Sequence, residues 1–89
     1  MTAHPNLARM TAALDRWEAE AAAMPPIRGA LVLENKSVWM NDQFNRLDRA
    51  CAADEPAPEH LEGLTAWDLA DARERLMASA LKLRGGAHA

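Results

Sequence analysis

Residues 27–41 read IRGALVLENKSVWMN, and this stretch decides the fold that the sequence predicts. An apolar run comes first, Asn35 and Lys36 interrupt it, and a second run rich in β-formers follows. Two such runs joined by a two-residue break that begins with Asn are typical of a tight β-hairpin. We therefore predict a hairpin over residues 28–41, in which period-two alternation turns Trp39 away from its two apolar neighbours.

Helical patterns lie on both sides of the predicted hairpin. Over residues 7–24, apolar side chains recur at alternating steps of three and four, and two consecutive prolines end this stripe. A shorter stripe predicts a helix over residues 42–52, and a third predicts a helix over residues 65–84. Residues 54–63 are acidic and proline-rich, so we expect them to form an acidic loop between the last two helices.

These elements predict an α+β fold in a single domain, residues 1–89. A two-stranded hairpin is not stable alone, so the two long helices must cover it or pack on a second subunit. A small all-α bundle is the alternative. The start of the last helix is the best-marked boundary, because Thr65 and Asp68 have the spacing of a capping box, in which each side chain bonds to the other's backbone.

Composition indicates a small globular domain without a membrane role. The chain has 89 residues, of which 49% are hydrophobic and 26% are charged, and a formal net charge of −3. A domain of this size has marginal stability unless a partner covers more of its surface. This negative net charge does not indicate a basic surface of the kind that binds nucleic acid. The chain has one cysteine, Cys51, so it cannot form an internal disulfide, which suits a reducing compartment and predicts a cytoplasmic protein. The excess of Arg over Lys and the many alanines predict a bacterial protein.

The sequence contains no pattern that supports catalysis, a metal or a cofactor. His4, His60 and His88 are too far apart to have metal-ligand spacing, and no cysteine pair accompanies them. A glycine-rich phosphate loop is missing, and neither of the two serines has a base nearby in the sequence. We therefore predict a protein that is not an enzyme and that carries no cofactor.

Part of the chain resembles a known family. Residues 28–47 look like the opening of a PAS sensor domain, in which a first hairpin is followed by an Asn, a Phe and a Leu, matched here by Asn41, Phe44 and Leu47. Residues 63–69 are similar to a later segment of that family. The resemblance covers only the first half of a PAS domain and implies no haem, flavin or ligand pocket. It implies a PAS-like half used for dimerisation or regulatory protein contacts.

The leading functional hypothesis is a regulatory protein-interaction module that forms a homodimer through its first helix. The predicted interface residues on that helix are Leu7, Met10, Leu14, Trp17 and Met24. Trp39 is a further interface candidate, because exposed tryptophan is common in binding hot spots.

Two other hypotheses remain open. In the first, the chain is an inhibitor encoded by a mobile element, and its acidic loop masks the basic surface of a partner protein. The loop residues that would do so are Asp54, Glu55, Glu59 and Glu62. In the second, the chain is a small DNA-binding regulator, although carboxylates alternate with Arg46 and Arg49 and would repel phosphate.

Overall fold

The computed structural model describes residues 4–86 and shows a three-helix protein. Helix α1 spans Pro5–Ala22, α2 spans Pro26–Ala52 and α3 spans Ala66–Gly86, and a short 3-10 helix spans Glu59–Leu61. No strand occurs within the described residues. The prediction of an α+β fold is therefore wrong, and the all-α alternative is the architecture that the chain adopts.

The predicted hairpin over residues 28–41 and the predicted helix over residues 42–52 are a single helix, α2. Its buried positions are Gly29, Ala30, Leu33, Ser37, Met40, Gln43 and Leu47. These positions recur mainly at steps of three and four, which is the period of a helix and not of a strand. The stripe was hard to see in the sequence because two of its members, Ser37 and Gln43, are polar. The opening hairpin of the PAS resemblance is therefore absent, since that segment lies inside α2.

The two prolines end one helix and begin the next. Helix α1 ends at Ala22, two residues before the predicted boundary, and Pro25 is the residue that precedes α2. Pro26 is the first residue of α2, a position where proline is favourable because its missing N–H would have no helical partner. The connection between α1 and α2 is consequently short, and the two helices run in opposite directions.

Helices α2 and α3 form an antiparallel pair that holds most of the core. The largest fully buried side chains are Leu33, Met40, Leu69 and Leu76, all contributed by this pair. Helix α1 lies against one side of the pair and buries fewer residues, namely Asn6, Leu14 and Ala21. The described part of the chain measures 48 × 27 × 16 Å, so it is only about two helices thick.

The predicted capping box at the start of α3 is confirmed. The Thr65 backbone N–H donates to Asp68 Oδ2 at 2.8 Å, and the Asp68 backbone N–H donates to Thr65 Oγ1 at 3.2 Å. Just before it, Gly63 has a φ of +81°, and a Cβ at that position would lie within 2.2 Å of the His4 ring. Only glycine fits there, so this turn brings the acidic loop against the start of α1.

Candidate functional site

A groove opens between α1, α2 and the 3-10 helix. Its volume is about 520 Å³, which is within the range of small-molecule sites. It is lined by Asn6, Arg9, Met10, Ala13, Trp17, Trp39, Met40, Gln43, Glu59, His60, Leu61, Leu64 and Leu69. We call it the tryptophan groove. Helix α1 is attached to the rest of the chain at both of its ends and also near its middle, through Leu14 and Glu18.

One of these attachments is at the start of α1. Asn6 Nδ2 donates to the backbone carbonyl of Glu59 at 3.0 Å and to that of Glu62 at 2.8 Å, so one side chain fixes α1 to the acidic loop. Arg9 Nη1 donates to Asn6 Oδ1 at 2.9 Å and is thereby held at the same end of the groove. At the other end of α1, Ala21 is buried against the start of α2.

Two tryptophans form the apolar end of the groove. The rings of Trp17 and Trp39 are 6.1 Å apart at their centroids and almost perpendicular, an edge-to-face arrangement. Lys36 Nζ lies 4.6 Å from the centroid of the Trp17 ring, which places a cation over its electron-rich face. Trp39 is 46% exposed, and this exposure follows from its position on a helix, not from the strand alternation that the sequence analysis assumed.

The polar end of the groove contains a buried amide. Gln43 is only 5% exposed, and its Oε1 accepts a hydrogen bond from His60 Nε2 at 2.5 Å. Among residues 4–86, the amide nitrogen of Gln43 has no hydrogen-bond partner. Every fully buried side-chain polar atom in that range has one, so this nitrogen is accessible from the groove. The sequence pattern gave no role to Gln43, because the predicted helix over residues 42–52 was recognised from its apolar positions alone.

A second surface feature lies on the opposite side of the molecule. The surface of the α2–α3 pair that faces away from α1 carries large apolar side chains with high exposure. They are Ile27 at 44%, Leu31 at 49%, Val38 at 69%, Met77 at 48% and Leu81 at 72%. We call this surface the open face. At the end of α3 nearest the loop, Trp67 is 80% exposed.

Two polar contacts join α2 and α3, and one of them is an ion pair. Arg84 binds Glu34 through two nitrogens, each 2.6 Å from a carboxylate oxygen. This contact lowers the pKa of the Glu34 carboxyl and raises that of Arg84. Arg73 Nη1 donates to Asn41 Oδ1 at 2.6 Å. The Glu34–Arg84 pair has no net charge, whereas Arg73 keeps its positive charge, because Asn41 is a neutral amide.

The predicted interface residues of α1 are used mainly within the chain. Leu14 is buried, whereas Leu7, Met10, Trp17 and Met24 are half-buried. Leu14, Met10 and Trp17 pack in or against the core cluster of the same chain. The apolar stripe of α1 is thus not available to a partner along its whole length. The exposed apolar surface lies instead on α2 and α3.

The four acidic-loop candidates share an exposed loop. Asp54, Glu55, Glu59 and Glu62 are all exposed, and none forms an ion pair within residues 4–86. Asp54 adopts a φ of 55°, a left-handed conformation that terminates α2. Cys51 is exposed, because it lies in the last turn of α2, beyond the packed stripe. His88 lies outside the described residues.

An ionic cluster attaches the middle of α1 to α3. Arg75 Nη2 lies 2.5 Å from Glu18 Oε1 and 2.6 Å from Asp15 Oδ1, and Ser79 Oγ donates to Glu18 Oε2. The hydrogen bond from Arg75 is the main reason that the pKa of Glu18 falls below its ordinary value of 4.5, with Ser79 adding to the effect and partial desolvation opposing it. The same contacts raise the pKa of Arg75.

The Glu18 cluster predicts a pH dependence of stability. Because the pKa of Glu18 is lower in the folded chain than in the unfolded chain, its contribution is complete above about pH 4.5 and is lost as the pH falls through the folded value. At neutral pH, Glu18→Gln should cost about 1 kcal/mol of unfolding free energy, since the pair is partly exposed. As the pH falls below 4.5, the difference in stability between the variant and the native chain should shrink, because Glu18 becomes protonated in the unfolded and then in the folded chain. Denaturant titrations over a series of pH values from 7 downwards measure this difference, and Glu20→Gln, an exposed position of α1, is the control. A difference that does not shrink in acid would contradict this role for Glu18.

Neither a membrane span nor a metal cluster is found in the described part of the chain. Across residues 4–86, no helix combines the length and apolar character required to span a bilayer. In the same range, no three His, Cys, Asp or Glu side chains are grouped so that they could hold a metal ion. Comparison of the chain with protein-family models, with curated proteins and with solved structures gave no match.

Proposed function

We propose that this protein is a non-catalytic interaction module that acts as a homodimer, with the open face as its interface. The observation that carries the proposal is the exposure of five large apolar side chains on one side of α2 and α3. Single exposed apolar residues are common on monomers, whereas several large ones on one side of a molecule favour an interaction surface. The proposal moves the dimer contact from α1, where the sequence analysis put it, to the opposite side of the molecule.

Three features favour a second copy of the chain as the occupant. Helix α2 has 27 residues, so it is about 40 Å long, and two adjacent helices present a surface of about 800 Å². This area is what each partner buries in a typical stable complex. The intrachain ion pair of Glu34 with Arg84 limits electrostatic repulsion between two identical faces. Face-to-face packing would turn two thin molecules into a four-helix core, with one α1 on each outer side.

The test is the oligomeric state of the native chain and of one variant. The native chain should sediment as a dimer at micromolar concentration, with twice the chain mass of 9.7 kDa. Val38→Glu should raise the dimer dissociation constant by about 100-fold, because each interface would bury two unpaired carboxylates. Its helical circular dichroism should not change, since Val38 is 69% exposed within the chain.

Ala12→Glu is the matched control, because it places the same charge at an exposed position of α1. This variant should remain a dimer. A native chain that is a folded monomer at about 100 μM would overturn the proposal. Dissociation of the dimer by Ala12→Glu but not by Val38→Glu would also overturn the proposal, since that result would place the contact on α1.

A further inference from the structure

We infer that the tryptophan groove is a binding site for a small amphipathic organic acid, with an aromatic or alkyl body and one carboxylate. This site is separate from the open face, and the inference does not depend on dimerisation. Its apolar part would accept the body of the ligand, and its polar end would bind the carboxylate. Nothing in the proposed dimer requires such a groove.

The shape and lining of the groove indicate the apolar part of the ligand. A volume of about 520 Å³ accommodates a small molecule rather than a protein segment. The apolar walls include the rings of Trp17 and Trp39 and the side chains of Met10 and Met40. Aromatic rings bury a large area at low conformational cost, and methionine adapts to ligands of different outline. These properties suit a flat or flexible apolar body.

The polar end indicates the other part of the ligand. Gln43 lines the groove, and its amide nitrogen has no hydrogen-bond partner within residues 4–86. Because this nitrogen is accessible, a ligand oxygen can accept its hydrogen bond in place of water. The ligand should therefore present an acceptor oxygen to Gln43.

Charge selects an anionic acceptor over a neutral one. Arg9 lines the same end of the groove, where its bond to Asn6 holds the guanidinium in place. At the other end, Lys36 lies over Trp17. Neither cation forms an ion pair within residues 4–86, although the whole chain has a net charge of −3. A carboxylate bound by an arginine is among the stronger recognition contacts available to a small site. Glu59 also lines the groove, and its repulsion favours ligands with one negative charge over those with two.

Titration with naphthylacetate, followed by the indole N–H signals in a nitrogen–proton correlation spectrum, tests the inference. The chain has three tryptophans, so each signal can be assigned by substitution. The signals of Trp17 and Trp39 should shift and saturate, with a dissociation constant below about 1 mM for a ligand of this size. The signal of Trp67, which does not line the groove, should not move.

Two variants and one analogue locate the contacts. Arg9→Gln should weaken naphthylacetate binding about tenfold without changing the melting temperature, since Arg9 is exposed. Gln43→Met keeps the length of the side chain and removes the donor, and it should also weaken binding about tenfold. Naphthylacetamide has the same body without the charge. The native chain should bind it about tenfold more weakly than it binds the acid. The Arg9→Gln variant should bind the acid and the amide with equal affinity.

Several outcomes would overturn the inference. One is the absence of saturable shifts at Trp17 and Trp39 with millimolar naphthylacetate. A second is equal binding of the acid and the amide by the native chain. A third is a Trp67 shift of the same size, which would indicate unspecific adsorption to apolar surface. Val38→Glu should bind naphthylacetate as the native chain does, so failure of the groove and failure of the dimer would be distinguishable.

Discussion

Leu14→Asp should lower the free energy of unfolding by about 3–5 kcal/mol, which is a large part of the total for a chain of this size. Leu14 is 4% exposed and is the largest buried side chain that α1 contributes to the core. A carboxylate at this position would have neither water nor a cation to stabilise it. Helix α1 would then detach from α2 and α3, or the whole chain would unfold. Thermal and denaturant unfolding, followed by circular dichroism, would measure the loss.

Ala12→Asp is the control for this substitution. It adds the same charge to the same helix at an exposed position, so its stability should remain within about 0.5 kcal/mol of the native value. Equal stability of the two variants would show that Leu14 is not part of the core. Because the stripe of α1 packs mainly within the chain, Leu14→Asp should act on the fold first, and any effect on the dimer would be secondary.

Gly29→Ala should lower the free energy of unfolding by about 1–3 kcal/mol, although the same change inside an exposed helix usually stabilises. A Cβ at Gly29 would lie 2.4 Å from the backbone oxygen of Ala21 and 3.1 Å from Leu83 Cδ1. The first contact involves backbone, so α1 and α2 would have to separate. For a domain of this size, the melting temperature should fall by about 5–15 °C.

Gly85→Ala provides the matched comparison. A Cβ at this position meets no heavy atom within 4 Å, so the only expected effect is the better helix propensity of alanine. The melting temperature should be unchanged or slightly higher. If Gly29→Ala behaves in the same way as Gly85→Ala, the close approach of α1 to α2 at Ala21 is not a constraint on the fold.

The sequence predicted the outer helices because their signals are local. The capping box at Thr65 and the apolar stripe that follows need no knowledge of the rest of the chain, and the stripe of α1 is regular. Helix α2 was missed because Ser37 and Gln43 occupy buried positions and break the apolar period. Its Val and Trp residues also have high β-propensity, a preference that packing against α3 overrides. Asn35 and Lys36 resembled a turn, yet they lack the glycine that most two-residue hairpin turns require.

The candidate sites were predictable only in part. Trp17 and Trp39 were identified as residues of interest, but their meeting depends on the antiparallel arrangement of α1 and α2. The sequence analysis placed them in different elements and could not predict this contact. The open face was not predicted at all, because residues 28–41, which include Val38, were assigned to a hairpin and not to a helix. Gln43 could have been found from its position four residues before Leu47, in phase with a helical stripe.

The two hydrogen bonds of Asn6 also bear on the rates of folding and unfolding. They join residues that are 53 and 56 positions apart in the chain, whereas α2 and α3 are consecutive helices joined by one loop. Contacts of high sequence separation require more loop-closure entropy, so the α2–α3 pair should assemble before α1 reaches the acidic loop. An interaction that forms after the transition state slows unfolding and contributes little to the folding rate. We therefore expect the hydrogen bonds of Asn6 to slow the unfolding of the chain more than they speed its folding.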